Sequence, residues 1–195
     1  GDVKALKHYV EAGADVNKWD LYGRSPLFNA IDLNTMPIGG RADIPSQDLT
    51  SGYDIATMLL DRGANPNMQL KLVPPLREAI YDRGSDKVLT TGATALMRAV
   101  KGGDIPATRL LLEKGALPDL PNMEGQTPMM IVAGIGHTSS PTRGMFRTQE
   151  ESITAIQLLL DFGADINALS GDPILVPGVK PVDYQRDKNM HPANE

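Results

Sequence analysis

The segment Asp161–Asn167 reads DFGADIN, and the phrase returns as EAGADVN at Glu11–Asn17, DRGANPN at Asp61–Asn67 and EKGALPD at Glu113–Asp119. An apolar segment precedes each copy: Ala5-Leu6 with Tyr9-Val10, Met58-Leu59-Leu60, Leu110-Leu111-Leu112 and Leu158-Leu159-Leu160. A second phrase returns as GRSPLFNA from Gly23, GATALMRA from Gly92, GQTPMMIV from Gly125 and GVKPVDYQ from Gly178. Two phrases that recur in one order at matching offsets are the mark of a repeat architecture.

Each unit reads as two short helices. In GQTPMM the Thr127 hydroxyl is placed to cap a helix start, and Pro128 follows at the first helical position, where a missing N–H costs nothing. Ser25-Pro26 repeats the device, and Thr94-Ala95 keeps the cap without the proline. The leucine-rich helix comes next, with apolar residues at helical spacing, as in Ile153, Ile156, Leu159 and Leu160. It stops at Gly13, Gly63, Gly115 or Gly163, since glycine adopts the left-handed conformation that closes a helix end. One unit cannot bury its leucines alone, so the units must stack.

The order of capped helix, short turn, leucine-rich helix and G-A-D-x-N resembles the ankyrin repeat, whose period is about 33 residues. The resemblance extends over nearly the whole chain and implies an all-α ankyrin-repeat solenoid of helix–turn–helix units with projecting turns. The histidine of the family's T-P-L-H motif is replaced throughout, by Phe28, Met97, Met130 and Asp183. The hydroxyl–imidazole bond of that motif is therefore absent.

The terminal glycines are separated by 50, 52 and 48 residues, well beyond one repeat. Comparison of the two phrases locates the excess. Insertions of 17 and 15 residues fall between the two helices of a unit, at 33–51 and 136–150, and one of 19 falls in the long turn, at 68–90. The expected units are a half repeat at 1–17, three inserted repeats at 18–67, 68–117 and 118–167, and an incomplete repeat at 168–195. In an ankyrin stack the first and third insertions would share one edge, and the second would project from the finger edge beside the concave face. Pro74–Ile80 is a candidate extra helix within it.

Two readings of the insertions stand together. Loop closure entropy grows slowly with length, so they are tolerable as plain surface loops. Long loops without structure are also uncommon unless they are used. The third combines His137, Thr138, Ser139, Ser140, Thr142, Arg143 and Arg147 with an apolar tip at Met145 and Phe146. Arginine with hydroxyls suits an anion or carboxylate; equally, Phe146 folds back on a neighbouring repeat, or the first and third loops pack together.

Composition narrows the function classes. With 19 Lys and Arg against 24 Asp and Glu, the formal charge is −5, which argues against a general nucleic-acid binder. Cysteine is absent, which excludes disulfides and thiolate metal sites. No apolar run is long enough to span a membrane, and the first residues do not read as a signal peptide. The aromatic content of 5% suits thin leucine–alanine layers. No metalloprotease, P-loop or nucleophile-elbow motif occurs. Of His8, His137 and His191, only His137 lies beside hydroxyls, with no acid partner in view. Asp43, Asp48 and Asp54 are too irregular for a calcium loop and read as a solvated face. The nine methionines suit gap-filling in the core. The expectation is a protein without catalytic residues, cofactor or metal.

Ankyrin repeats generally bind partners through finger tips and the exposed face of the first helix. The resemblance therefore implies partner contacts at Trp19, Leu21, Tyr22 and Arg24, at Asp32 and Lys101 on the helices, and at Met123, Glu124 and Gln126 on a later finger. Trp, Tyr and Arg often dominate binding energy, and here they cluster within six residues. The alternative for Trp19 is packing beneath the second insertion. The leading function is a scaffold or adaptor that holds a protein partner. The alternatives are a domain whose insertions enclose a small anion or saccharide, and an assembly or regulatory segment of a larger enzyme. The chain opens inside a repeat and closes before a leucine-rich helix, so it is expected to be a segment of a longer chain or to have its ends covered by a neighbouring one. Its insertions also resemble those of ankyrin-repeat proteins of environmental bacteria.

Overall fold

A computed structural model describes residues 3–35, 50–72, 88–135 and 147–170. Seven helices occur among them: α1 (Val3–Glu11), α2 (Pro26–Asn34), α3 (Gly52–Asp61), α4 (Ala95–Gly102), α5 (Ile105–Glu113), α6 (Pro128–Ala133) and α7 (Gln149–Asp161). The fold is an all-α ankyrin-repeat solenoid. Helices α2/α3, α4/α5 and α6/α7 pair as hairpins; α2, α4 and α6 pack in one row, and α3, α5 and α7 in another.

Local chemistry explains the starts and stops. Ser25, Thr94 and Thr127 cap α2, α4 and α6 by accepting the backbone N–H of Phe28, Met97 and Met130. The residues standing at the motif's histidine position thus serve through their main chain. Helices α3 and α7 open on reciprocal capping boxes, Ser51 with Asp54 and Thr148 with Glu151. Asp54 is exposed and also serves as a cap, and hydrogen bonds from Ser51 hold its carboxyl below the usual carboxylate range. The four terminal glycines all take positive φ, between 85° and 89°.

The core is a series of thin layers. Leu27 and Ile31 of α2, Leu96 and Met97 of α4, and Ile131 of α6 are fully buried, facing Leu59, Leu111 and Leu159 of the outer row. Ala56, Ala99, Ala107 and Ala155 are also fully buried and let the helices approach closely. Each buried leucine contributes roughly 1.5–3 kcal/mol, and stacking of the hairpins builds the layers that bury them.

Several residues at the margins of the expected insertions belong to the helical frame. Leu33 and Asn34 lie in α2, Ser51 caps α3, and Gln149 and Glu150 open α7. At the second insertion Leu70, Val88 and Leu89 are core residues. Pro74–Ile80, Asp43, Asp48 and His191 lie outside the described residues. On α7 the buried side chains are Ala155, Leu158 and Leu159, whereas Ile153 is exposed. The spacing alone would have buried Ile153, but it sits on a face that no described element covers. His8 is exposed and meets the Tyr9 ring edge-on at 5.8 Å. No described helix is long and apolar enough to cross a membrane, and no cluster of three or more metal-ligating side chains occurs among the described residues.

Candidate partner-binding surface

Among the described residues three fingers project beyond the inner helices, each organised by a different residue at the same position. In the first it is Asp20. One carboxylate oxygen accepts the backbone N–H of Tyr22 (2.9 Å) and Arg24 (3.0 Å), and the other pairs with the Arg24 guanidinium at 2.6 Å. Partial desolvation pushes the Asp20 carboxyl up, but the bonds from Arg24 and Tyr22 outweigh it and hold it below the usual carboxylate range. In the third finger the residue is Asn122, which is buried. It accepts from the N–H of Glu124 and Gln126 and donates to the Val88 carbonyl and the Gln126 side chain. In the middle finger it is Leu89, whose side chain has no polar atom to offer. The second insertion supplies the bonds instead: Leu70 exchanges main-chain bonds with Gly92 and Ala93, and Gln69 donates to the carbonyls of Gly92 and Pro121.

Neighbouring fingers are joined through the main chain. Lys71 and Leu72 both donate to the Tyr22 carbonyl, and Met123 donates to that of Thr91. These links leave no room for side chains at the turns. A Cβ on Gly92, whose φ is 83°, would lie 2.7 Å from the Met123 nitrogen.

The tips expose apolar side chains. Leu21 is 78% exposed, Met123 65% and Trp19 47%. Lys71 lies over the Trp19 ring, its Nζ 3.4 Å from the centroid, and Arg24 lies over Tyr22 at 5.3 Å. One face of Trp19 therefore meets Lys71 at the start of the second insertion, and much of the ring stays exposed. Tyr22, Arg24 and Gln126 are half-buried and bonded within their fingers, while Glu124 is exposed and receives a bond of 3.3 Å from Gln126. Leu72 and Leu169 are also exposed, close to Tyr22 and Glu124 respectively through the bonds of Leu72 and Ser170. Sequence reasoning missed both, because neither falls on the repeated phrases.

The helix positions belong to the frame. Asp32 of α2 holds Arg98 of α4 at 2.6 Å. Arg98 is fully buried, and its Nη1 and Nη2 have no hydrogen-bond partner among the described residues. No sequence signal joins residues 66 apart across an insertion. The side chain of Lys101 is half-buried, and its carbonyl accepts a bond of 3.5 Å from Arg147. Arg147 also donates to the Ile131 carbonyl (2.9 Å) and to Ser152 Oγ (3.1 Å). It therefore ties the end of α4, the middle of α6 and the start of α7 together, and burial lowers its pKa from the usual arginine value. Of the residues read as a loop site, Arg147 alone is among those described; His137, Ser139, Ser140, Arg143, Met145 and Phe146 lie outside them.

Comparison with known proteins agrees with this architecture. Residues 91–140 match the family model "Ankyrin repeats (many copies)". The chain is similar to the nuclear factor NF-kappa-B p105 subunit of Gallus gallus, 28% identical over 186 residues, covering 92% of this chain and 18% of the relative. It is similar to the ankyrin repeat, SAM and basic leucine zipper domain-containing protein 1 of Rhinolophus ferrumequinum, 27% identical over 138 residues, covering 71% and 22%. It is also similar to a putative palmitoyltransferase, ZDHHC13, of Danio rerio, 30% identical over 141 residues, covering 68% and 20%. The chain spans about a fifth of the length of these relatives. Ankyrin repeats in general mediate protein–protein interaction.

Proposed function

We propose that this chain is a non-catalytic scaffold or adaptor segment that holds a protein partner on its finger tips. The observation that carries the reading is the exposure of Trp19, Leu21 and Met123 on fingers whose backbones are internally hydrogen-bonded. Anchors on a rigid base lose little entropy on binding, and large apolar or aromatic side chains supply most of the energy. The polar members Tyr22, Arg24, Glu124 and Gln126 position these anchors and set the rim, while Asp32 and Lys101 support them from the helices. Units 18–67, 68–117 and 118–167 are the repeats of this reading, with self-association or a neighbouring chain at the ends. A bacterial source belongs to it on the resemblance of the insertions alone.

The test is an interaction screen with the 195-residue chain and a triple variant, Trp19→Ala, Leu21→Ser, Met123→Ser, whose fold is checked by circular dichroism. Binders of the wild type should lose at least about tenfold in affinity on the variant, the loss of roughly 1.4 kcal/mol expected from part of a hot spot. Undiminished binding would remove these tips from the site.

A second reading, a small-anion or saccharide site enclosed by the insertions, is favoured by Arg98, whose Nη1 and Nη2 are buried without a hydrogen-bond partner among the described residues. A ligand that fills them would raise the melting temperature by mass action, and Arg98→Met would abolish the rise. Silence across phosphates, carboxylic acids and sugars would dismiss it. The third reading, a regulatory segment of a larger enzyme, places catalysis outside this chain.

A further inference from the structure

At each junction between outer helices, the last residue of the repeated phrase reaches to the next turn. Asn17 donates from Nδ2 to the Gly63 carbonyl (3.1 Å) and accepts from the Asn65 N–H (2.7 Å). Asn67 donates to the Gly115 carbonyl (2.9 Å) and accepts from the Leu117 N–H (2.8 Å). At the third junction the residue is Asp119. It accepts the Asp165 N–H on both oxygens, at 3.1 and 3.0 Å, but an ionised carboxylate has no proton to offer. The repeat register sets the Gly163 carbonyl where Gly63 and Gly115 stand at the other two junctions. Two rungs are therefore complete, and the third lacks its donor.

We propose that the junction between the α4/α5 and α6/α7 hairpins is a pH-sensitive joint, in which protonation of Asp119 supplies the donor that the equivalent asparagines carry and closes the rung on the Gly163 carbonyl. The proton comes from solvent, and the new O–H donates to Gly163 while the remaining oxygen keeps the Asp165 N–H. The surroundings favour the protonated form. Burial pushes the Asp119 carboxyl above its ordinary value; the Asp165 N–H opposes this, and the negative charge of Asp165 adds to it. Asp165 is the charged side chain that acts on Asp119, and its own carboxylate is occupied by the Asn167 N–H at 2.8 Å.

The direction follows from linkage. The folded state holds the proton to a higher pH than the unfolded chain, whose carboxyl has the ordinary value of 3.8. Between the two values the folded state binds more protons, so the joint strengthens as pH falls through that window and is weakest above it. The other two junctions carry no titrating group at this position and stay indifferent.

The test uses hydrogen exchange of the 195-residue chain at pH 7 and pH 3.8, corrected for the intrinsic rates, with Asp119→Asn and Asn67→Asp. At pH 7 the asparagine at 119 should raise protection of α7 and of the turn after it about fivefold, the effect of one net hydrogen bond. That gain should shrink at pH 3.8, where the raised value leaves the native side chain mostly protonated and able to donate for itself. Asn67→Asp should move the same pH dependence to the α2/α3–α4/α5 junction. A gain of equal size at both pH values, no gain at pH 7, or a pH-independent Asn67→Asp would each overturn the proposal.

Discussion

Gly63 and Gly92 offer a controlled comparison of two causes of glycine choice. Their backbones are nearly identical, with φ of 85° and 83°. They differ in space: a Cβ on Gly63 meets nothing within 4 Å, whereas on Gly92 it would lie 2.7 Å from the Met123 nitrogen and 3.0 Å from the Asn122 Cα. Alanine at 63 should therefore cost only the left-handed strain, about 1–2 kcal/mol. Alanine at 92 carries the same strain and must also push the third finger away, breaking the 3.0 Å bond from Met123 to Thr91. Losing that bond and distorting a packed turn adds about 1–3 kcal/mol, for a total of roughly 2–5 kcal/mol. Urea denaturation followed by circular dichroism gives both values from midpoints at constant slope. The chain has one tryptophan, Trp19 on the first finger, so its emission reports separately whether the fingers loosen. Equal losses for the two variants would refute the close stacking of the fingers.

Other perturbations separate further parts of the account. Asp32→Ala leaves the buried Arg98 guanidinium without its counter-ion and should cost about 3–5 kcal/mol, whereas Arg98→Met removes the charge and should be neutral or stabilising; the ordering of melting temperatures checks this. Arg147→Ala removes donors from the Lys101 and Ile131 carbonyls and should destabilise the chain by about 1–3 kcal/mol, with the loss of exchange protection concentrated in α6 and α7. The first finger has the opposite acid response to the Asp119 joint. Because its folded pKa is depressed, Asp20 contributes stability that is fully present above the unfolded value of 3.8 and lost as pH falls through the lower folded value. Trp19 emission should shift only below pH 3.8, and Arg24→Gln should move that shift to higher pH.

The repeats were legible because each unit carries its own punctuation. Thr127 before Pro128 and Gly163 after Leu160 announce a start and a stop using only neighbours in sequence. Junctions were less legible, since they depend on which turns face one another. The alternation of Asn17, Asn67 and Asp119 is visible in the letters, but its consequence needed the carbonyls of Gly63 and Gly115 to be seen opposite the amides. The pairing of Asp32 with Arg98 was invisible for the same reason, as was the role of Arg147, which reads as a loop cation but is bonded to helix carbonyls. Among the candidate contacts, apolar tips emerged as exposed and polar ones as partly bonded within the fingers. A side chain's polarity tells which partners it can take, and only packing tells whether it already has one.

The central claim is that partner binding rests on apolar finger tips held by a rigid, bonded frame. It is tested most directly by selecting a displayed peptide library on the wild-type chain and measuring the recovered ligands on the Trp19→Ala, Leu21→Ser, Met123→Ser variant. The account predicts ligands that bind the wild type and weaken at least about tenfold on the folded variant. Ligands that bind both equally would contradict it.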